Sequence, residues 1–166
     1  FVGTDGVGGG KFDSADHLAN AIEAAWLETM GTDRYRYVVM TGGEPLLQLD
    51  APLIEALHYR YFEIAIETNG TIKIPNGIDW ICLSPKANAE LVVKQADEIK
   101  LVVPQTEHQP IEITLHRFEG MDFRHRYLQP MDGPQLRENT AYAVELCQKH
   151  PLWRLSVQTH KMIGIQ

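Results

Sequence analysis

The stretch Val38-Val39-Met40-Thr41-Gly42-Gly43-Glu44-Pro45 decides the fold class of this chain. Three apolar residues lead directly into a turn of small and polar residues, and a short apolar run of this kind is typical of a buried strand. The glycines allow backbone conformations that a Cβ atom would forbid. Glu44 follows the strand, and parallel α/β proteins bind ligands at the carboxyl ends of their strands. The stretch therefore predicts a site for a cationic or hydrogen-bond-donating ligand, with a plain turn and a solvated glutamate as the alternative.

The same strand-and-turn pattern recurs along the chain. Around this first strand, placed at 36–41, the apolar runs predict five further strands at 64–66, 80–83, 98–103, 126–128 and 154–157. Helices alternate with these strands, and such alternation predicts an α/β fold with a mainly parallel sheet. We expect residues 1–166 to form one domain. Residues 105–121 show no clean period.

Three helices are predicted from capping residues and apolar spacing. The first begins at a cap from Asp13 or Ser14 and stops at Gly31, the second begins at a cap from Asp50, and the third begins at Pro134. Their expected buried faces are Leu18, Ile22, Trp26 and Met30; Leu53, Leu57 and Tyr61; and Leu136, Thr140, Ala143, Val144 and Cys147.

Composition excludes several classes of function. The 166 residues are 44% hydrophobic and 22% charged, with a net charge of −7, which disfavours non-specific binding to nucleic acid or to a membrane surface. No apolar run approaches the roughly 20 residues of a membrane span. Cys82 and Cys147 belong to no C-x-x-C motif, so these residues carry no zinc or iron–sulfur signature. Reduced thiols fit a cytoplasmic protein.

Polar clusters follow almost every predicted strand. They are Thr41–Glu44, Glu67–Asn69, Ser84–Lys86, Gln129–Asp132 and Gln158–Lys161. In an open or closed barrel the carboxyl ends of parallel strands converge on one mouth. Five such clusters favour one shared site over five unrelated turns.

These clusters resemble the motifs of a known enzyme family. Thr41–Pro45 resembles the Gly-Gly-Glu motif of radical S-adenosylmethionine enzymes. Glu67–Gly70, Ser84–Lys86, Leu128–Pro130 and Ser156–Lys161 occur in the same order in one subfamily. Together they resemble the 7-carboxy-7-deazaguanine synthase family, and the resemblance covers the whole chain. It implies a partial (β/α) barrel of the radical S-adenosylmethionine type.

The resemblance also implies a reaction. Family members are lyases of queuosine and 7-deazapurine biosynthesis that rearrange 6-carboxy-5,6,7,8-tetrahydropterin to 7-carboxy-7-deazaguanine with loss of ammonia. A [4Fe–4S] cluster cleaves S-adenosylmethionine reductively, the resulting radical abstracts a hydrogen atom from the substrate, and Mg²⁺ assists the ring contraction. The implied partners are the small-molecule pterin, a second copy of the chain and an electron donor such as flavodoxin, without nucleic acid or membrane.

The resemblance assigns binding roles residue by residue. Glu44 matches the position that holds the methionyl ammonium group of the cofactor, where a carboxylate makes a charge-assisted hydrogen bond. The implied cofactor-binding residues are Gly43, Glu44, Ser84, Pro85, Lys86, Gln129, Pro130, Met131 and Asp132. The implied substrate contacts are Thr41, His160 and the terminal carboxylate of Gln166.

Several of these residues also have a purely structural interpretation. Lys86 fits a solvated turn, Asp132 a turn and helix cap, and Glu67 a loop cap. His160 fits an ordinary hydrogen-bonding histidine.

Residues 1–166 contain no counterpart of the family's three cluster cysteines or of its Mg²⁺-binding threonine. The family places both just upstream of the position where this chain starts, and Phe1 is not a methionine, so we expect upstream sequence that carries them. Two alternatives stay open. One is a radical enzyme that activates glycyl-radical proteins and shares the Gly-Gly-Glu-Pro turn. The other is a non-catalytic scaffold, if the chain begins at residue 1.

Overall fold

The computed structural model of the protein describes residues 9–87, 89–105 and 110–165. The strands are β1 (Tyr37–Met40), β2 (Glu63–Thr68), β3 (Trp80–Leu83), β4 (Gln95–Val103), β5 (Asp122–Pro130) and β6 (Arg154–Leu155). The helices are α1 (Ala15–Met30), α2 (Ala51–Tyr59), α3 (Ile111–Glu119), α4 (Leu136–Lys149) and α5 (Thr159–Met162), with a short 3₁₀ helix at Pro45–Leu47.

The six strands form an all-parallel sheet in the order of the sequence, β1-β2-β3-β4-β5-β6. The predicted α/β class with a mainly parallel sheet is confirmed. The chain divides into two compact units, which we describe separately. Unit 1 runs to Thr68 and includes Ile72–Ile81, whereas unit 2 contains Asn69–Thr71 and the chain from Cys82 onward. The single domain expected over residues 1–166 stays a prediction.

Helix α1 of unit 1 has the ends that the sequence predicts. The Ser14 hydroxyl accepts a hydrogen bond from the backbone N–H of His17 at 3.2 Å, and Gly31 ends the helix in the left-handed conformation. Leu18 and Trp26 lie partly buried against the core. Met30 is exposed, so the buried face ends one turn earlier than expected, because the last turn of the helix extends past the core.

Helix α2 is also capped as predicted, since Asp50 accepts from the backbone N–H of Leu53 at 3.0 Å. Leu53 and Leu57 are buried as expected. The prediction for Tyr61 is wrong. The helix ends before it, and Tyr61 adopts a left-handed φ of 60° with 85% of its surface exposed.

Strand β1 lies where the sequence places it, but its predicted burial is wrong. Val38 and Met40 pack against the core of unit 1, whereas Tyr37 and Val39 are 40% and 45% exposed. Successive side chains of a strand point to opposite faces, and only the face of β1 with Val38 and Met40 packs against this core. The face with Tyr37 and Val39 is therefore left open.

Strands β4 and β5 of unit 2 are longer than the apolar runs that predicted them. They pair in parallel from Gln95 opposite Asp122 to Val103 opposite Pro130. Charged residues occupy some of the added positions, and Arg124 lies 3.5 Å from Asp97 across the two strands. Cross-strand ion pairs of this kind make charged residues compatible with a strand.

Two helices of unit 2 differ from the sequence prediction. Helix α3 lies within the segment that showed no clean period, although Ile111, Leu115 and Phe118 are buried at helical spacing. In α4 the buried residues are Ala143 and Leu146. The expected positions Leu136 and Val144 are exposed, because the face that packs inward is centred on Leu146. No helix in the described ranges is long and apolar enough to cross a bilayer.

Candidate functional site

The turn after β1 is built around one glycine and one carboxylate. Gly42 has a φ of 107°, and a Cβ atom there would meet nothing within 4 Å. The position therefore needs glycine for its backbone conformation and not for space. Glu44 then caps the 3₁₀ helix, because its Oε1 accepts a hydrogen bond from the backbone N–H of Leu46 at 3.2 Å.

The end of β2 supplies a second partner for Glu44. The hydroxyl of Thr68, which is only 1% exposed, donates to Glu44 Oε1 at 2.8 Å. The parallel register sets Met40 opposite Ile66, so the residues that follow the two strands lie side by side. Thr41 Oγ1 lies 3.5 Å from Glu67 Oε2, at the limit for a hydrogen bond. Glu44 is half-buried and bonded, so the plain turn with a solvated glutamate is wrong.

In unit 2 the Ser84-Pro85-Lys86 segment follows β3 directly. Pro85 is buried, Ser84 is half-buried and Lys86 is exposed. The carbonyl oxygen of Pro85 accepts a hydrogen bond from Gln105 Nε2 at 3.1 Å. Gln105 lies just after β4. A residue beyond the end of β4 therefore anchors the turn that follows β3.

The Gln129–Asp132 segment begins inside β5. Pro130 pairs with Val103 of β4 and is buried. The backbone N–H of Met131 donates to the carbonyl of Val103 at 2.7 Å, and the Met131 carbonyl accepts from Asn139 Nδ2 at 2.9 Å. Backbone contacts on both sides therefore hold this segment in place.

Asp132 connects the segment to the end of the chain. Its carboxylate forms an ion pair with the ammonium group of Lys161 in α5. The hydrogen bond from Lys161, followed by the charge of that lysine, lowers the pKa of Asp132, and His160 adds a smaller effect in the same direction. Helix α4 has no side-chain cap at its N-terminus, so the interpretation of Asp132 as a helix cap is wrong.

Gln105 and Asn139 are two bonded side chains that the sequence does not predict, whereas Thr68 and Lys161 belong to the predicted polar clusters Glu67–Asn69 and Gln158–Lys161 without an individual role. Thr68 and Lys161 lie inside motifs that carry the family resemblance, and their place in those motifs was the available signal. Gln105 and Asn139 carry no such signal, because each donates to a backbone carbonyl of a distant segment.

The described residues do not fit the ligand set of a [4Fe–4S] cluster. Cys82 is buried in β3, and burial raises the pKa of the Cys147 thiol in α4. Within residues 9–87, 89–105 and 110–165, no group of three His, Cys, Asp or Glu side chains is placed to hold a metal ion. The same holds for Mg²⁺ within these ranges. Gln166, the third expected substrate contact, lies outside the described residues.

The amino-acid sequence is similar to those of curated enzymes over nearly its whole length. It is 57% identical over 166 residues to a protein of Bradyrhizobium diazoefficiens named 7-carboxy-7-deazaguanine synthase, covering 100% of this chain and 75% of that protein. Proteins of the same name from Caulobacter vibrioides and Bordetella pertussis are 57% and 55% identical over 165 residues, with 99% of this chain and 75% of each relative covered. No family model matches the chain.

The fold is similar to that of a solved structure, described as the crystal structure of QueE from Escherichia coli. The TM-score is 0.61 at 29% sequence identity, and the match covers 87% of this chain and 63% of that one. This neighbour has a radical S-adenosylmethionine fold, so the expected fold type is confirmed. The comparisons do not favour the glycyl-radical-activating alternative. The chain is an enzyme that belongs to the 7-carboxy-7-deazaguanine synthase family.

Proposed function

We propose that the protein rearranges 6-carboxy-5,6,7,8-tetrahydropterin to 7-carboxy-7-deazaguanine and releases ammonia, as a step of queuosine and 7-deazapurine biosynthesis. The Thr41–Pro45 turn supports this proposal most strongly, because its carboxylate is held in place by two donors at the end of a parallel strand. When bound, S-adenosylmethionine supplies the radical chemistry that starts the rearrangement.

In unit 1, Gly43 and Glu44 are proposed to bind the methionyl ammonium group of the cofactor. A carboxylate and an ammonium group form a charge-assisted hydrogen bond, which is stronger than a neutral one. The bonds from Thr68 and Leu46 fix one oxygen of Glu44, and this limits the directions in which the carboxylate can point. Thr41 is exposed, with its hydroxyl group 3.5 Å from Glu67 Oε2, and is proposed to contact the substrate with that hydroxyl group.

In unit 2, the segment Ser84–Lys86 is proposed to bind the ribose and the carboxylate of the cofactor. Ser84 offers a hydroxyl group and Lys86 an exposed ammonium group. Lys86 suits a carboxylate because of its charge, and the anchoring of Pro85 by Gln105 favours a defined position for both groups.

The remaining proposed contacts also belong to unit 2. Gln129, Pro130, Met131 and Asp132 are assigned to the adenine side of the cofactor, and His160 to the substrate. The backbone bonds of Met131 support this role, because they hold the segment in place and so favour a defined position for its side chains. Gln166 is kept as a proposed substrate contact.

The proposal includes groups that the described residues do not hold. The family implies a [4Fe–4S] cluster and Mg²⁺, whose ligands would lie outside the described ranges. We also propose a homodimer and an electron donor such as flavodoxin. The two free cysteines of the described chain support a reducing compartment such as the cytoplasm.

The test is the reaction itself. The complete natural protein would be purified without oxygen, reconstituted with iron and sulfide, and incubated with the pterin, S-adenosylmethionine, Mg²⁺ and dithionite. We expect mass spectrometry to detect 7-carboxy-7-deazaguanine only when both the cofactor and the reductant are present. Formation of 5′-deoxyadenosine without this product would contradict the substrate assignment. Failure to take up a cluster would contradict the proposed radical mechanism.

A further inference from the structure

Thr68 is the residue of the site that stands out by its burial. Among the residues that the structure describes, it is the one polar side chain in the buried core, with 1% of its surface exposed. It follows the fully buried Ile66 by two positions in β2. A hydroxyl group in such surroundings destabilises the fold unless it finds a hydrogen-bond partner.

The partner of this hydroxyl is a carboxylate oxygen. Thr68 Oγ1 donates to Glu44 Oε1 at 2.8 Å, a distance in the normal range for such bonds. The same oxygen accepts from the backbone N–H of Leu46 at 3.2 Å. Two donors on one oxygen hold the carboxylate more firmly than one donor would.

The strand makes Thr68 a rigid donor. A β-branched side chain has few accessible χ1 rotamers, and β2 pairs in register with β1 directly before the Thr41–Pro45 turn. The position of the hydroxyl is therefore set by the sheet, whereas Glu44 has a longer side chain with more rotatable bonds. Rigid groups that hold a binding residue reduce the entropy that the residue loses when it binds its ligand.

We propose that Thr68 is a positioning residue for S-adenosylmethionine, which holds the Glu44 carboxylate in the orientation that binds the ammonium group of the cofactor. This inference rests on the proposed function, in which Glu44 makes that contact. Removal of the hydroxyl leaves Glu44 with its charge and with the Leu46 N–H, but with a less restricted side chain. The loss therefore falls on cofactor affinity, and the chemical step keeps its rate once the cofactor is bound.

The test compares Thr68→Val, which replaces the hydroxyl by a methyl group of similar size, with Thr68→Ser, which keeps it. Thr71→Val is the matched control, because its hydroxyl donates to Asn69 Oδ1 and not to Glu44. The dissociation constant of S-adenosylmethionine is measured by calorimetry on the reconstituted holoenzyme, together with KM and kcat. We expect T68V to raise the dissociation constant and KM about tenfold with little change in kcat. T68S and T71V should stay close to the unaltered protein.

Three further variants separate the possible failures. If Glu44→Gln weakens cofactor binding but T68V does not, the positioning role of Thr68 is overturned and the role of Glu44 stands. If E44Q leaves binding unchanged, the proposed role of Glu44 fails and the inference fails with it. If T68V does not fold, Thr68→Ala replaces it, because a smaller side chain cannot overpack the site. The double variant E44Q/T68V should bind no more weakly than E44Q alone, because both changes remove the same interaction.

Discussion

The turn after β1 and the loop after β5 are built from similar parts but hold their carboxylates in opposite ways. Each follows a parallel strand, and each contains a glycine with positive φ, Gly42 in one and Gly133 in the other. Glu44 is held by a buried hydroxyl from the neighbouring strand. Asp132 is held by a lysine from a helix near the end of the chain, with about half of each side chain exposed, 47% and 48%.

The two contacts differ in how strongly salt and competing water weaken them. A hydrogen bond from a buried neutral group has little exposure to salt and to competing water. An exposed ion pair is screened by ions and contributes little to stability. We infer that the contacts of Glu44 fix the orientation of its carboxylate. The ion pair of Asp132 instead connects two segments of unit 2 and allows them to adjust.

The sharpest test of this comparison removes the two charges separately. Glu44→Gln should lower kcat/KM for S-adenosylmethionine about 100-fold, because it removes the proposed charge-assisted contact to the cofactor from a half-buried site. Asp132→Asn should lower it only about threefold, since an exposed pair adds little. Initial rates at varied cofactor concentration measure both effects. Equal losses would show that the two carboxylates are not used differently.

The second test asks whether the two glycines are alike. Gly42→Ala and Gly133→Ala should each reduce the free energy of unfolding by about 1–3 kcal/mol, because φ values of 107° and 131° strain a residue with a Cβ atom. Urea denaturation followed by circular dichroism measures the change. Gly120→Ala is the control, because Gly120 has a φ of −81° and open space around it. An equal loss in the control would contradict backbone strain as the cause.

The third test concerns pH. The hydrogen bond and charge of Lys161 lower the pKa of Asp132 from its ordinary value of 3.8. The stabilisation from the pair is therefore complete above that value and is lost as the pH falls through the lowered pKa of the folded state. Lys161→Met should return the pKa of Asp132 toward 3.8, as followed by the carboxyl ¹³C signal in an NMR titration. An unchanged titration would show that Lys161 does not hold this carboxylate in solution.

The smallest expected effect is that of Lys161→Met on activity. We expect KM for the cofactor to rise about twofold at low ionic strength, and the difference from the unaltered protein to vanish at about 0.5 M salt, where exposed pairs are screened. The effect of Thr68→Val should persist under the same conditions, because its bond is buried and uncharged on the donor side. If salt removed both effects alike, the distinction between the two loops would be lost.

The sequence predicts the positions of these loops but not the contacts within them. Apolar runs and Gly, Pro and carboxylate residues mark where strands end, and Glu44 and Asp132 were both assigned to the site from motif resemblance. The side chains that bond to Glu44 and Asp132 depend on how distant segments of the chain come together in the fold. Thr68 meets Glu44 only because β1 and β2 pair in parallel, and Lys161 is 29 residues away from Asp132.

Burial was harder to predict than element type. The apolar residues of β1 predict a buried strand, yet only one of its two faces packs against the core. Tyr61 was counted on a helical face although the helix ends before it. Helix α3 was missed because its charged residues obscured a helical spacing of Ile111, Leu115 and Phe118 that was present in the sequence.

The nine-residue pairing of β4 with β5 also restricts how this chain can change in length. The register runs without a shift from Ala96 opposite Phe123 to Val103 opposite Pro130. Deletion of a single residue within β5 would turn every later side chain of the strand to the opposite face, so that, for a deletion before Leu128, Gln129 would take the position of the fully buried Leu128. Insertions and deletions are therefore expected to accumulate outside these two strands, while residues 95–103 and 122–130 keep a constant length during evolution.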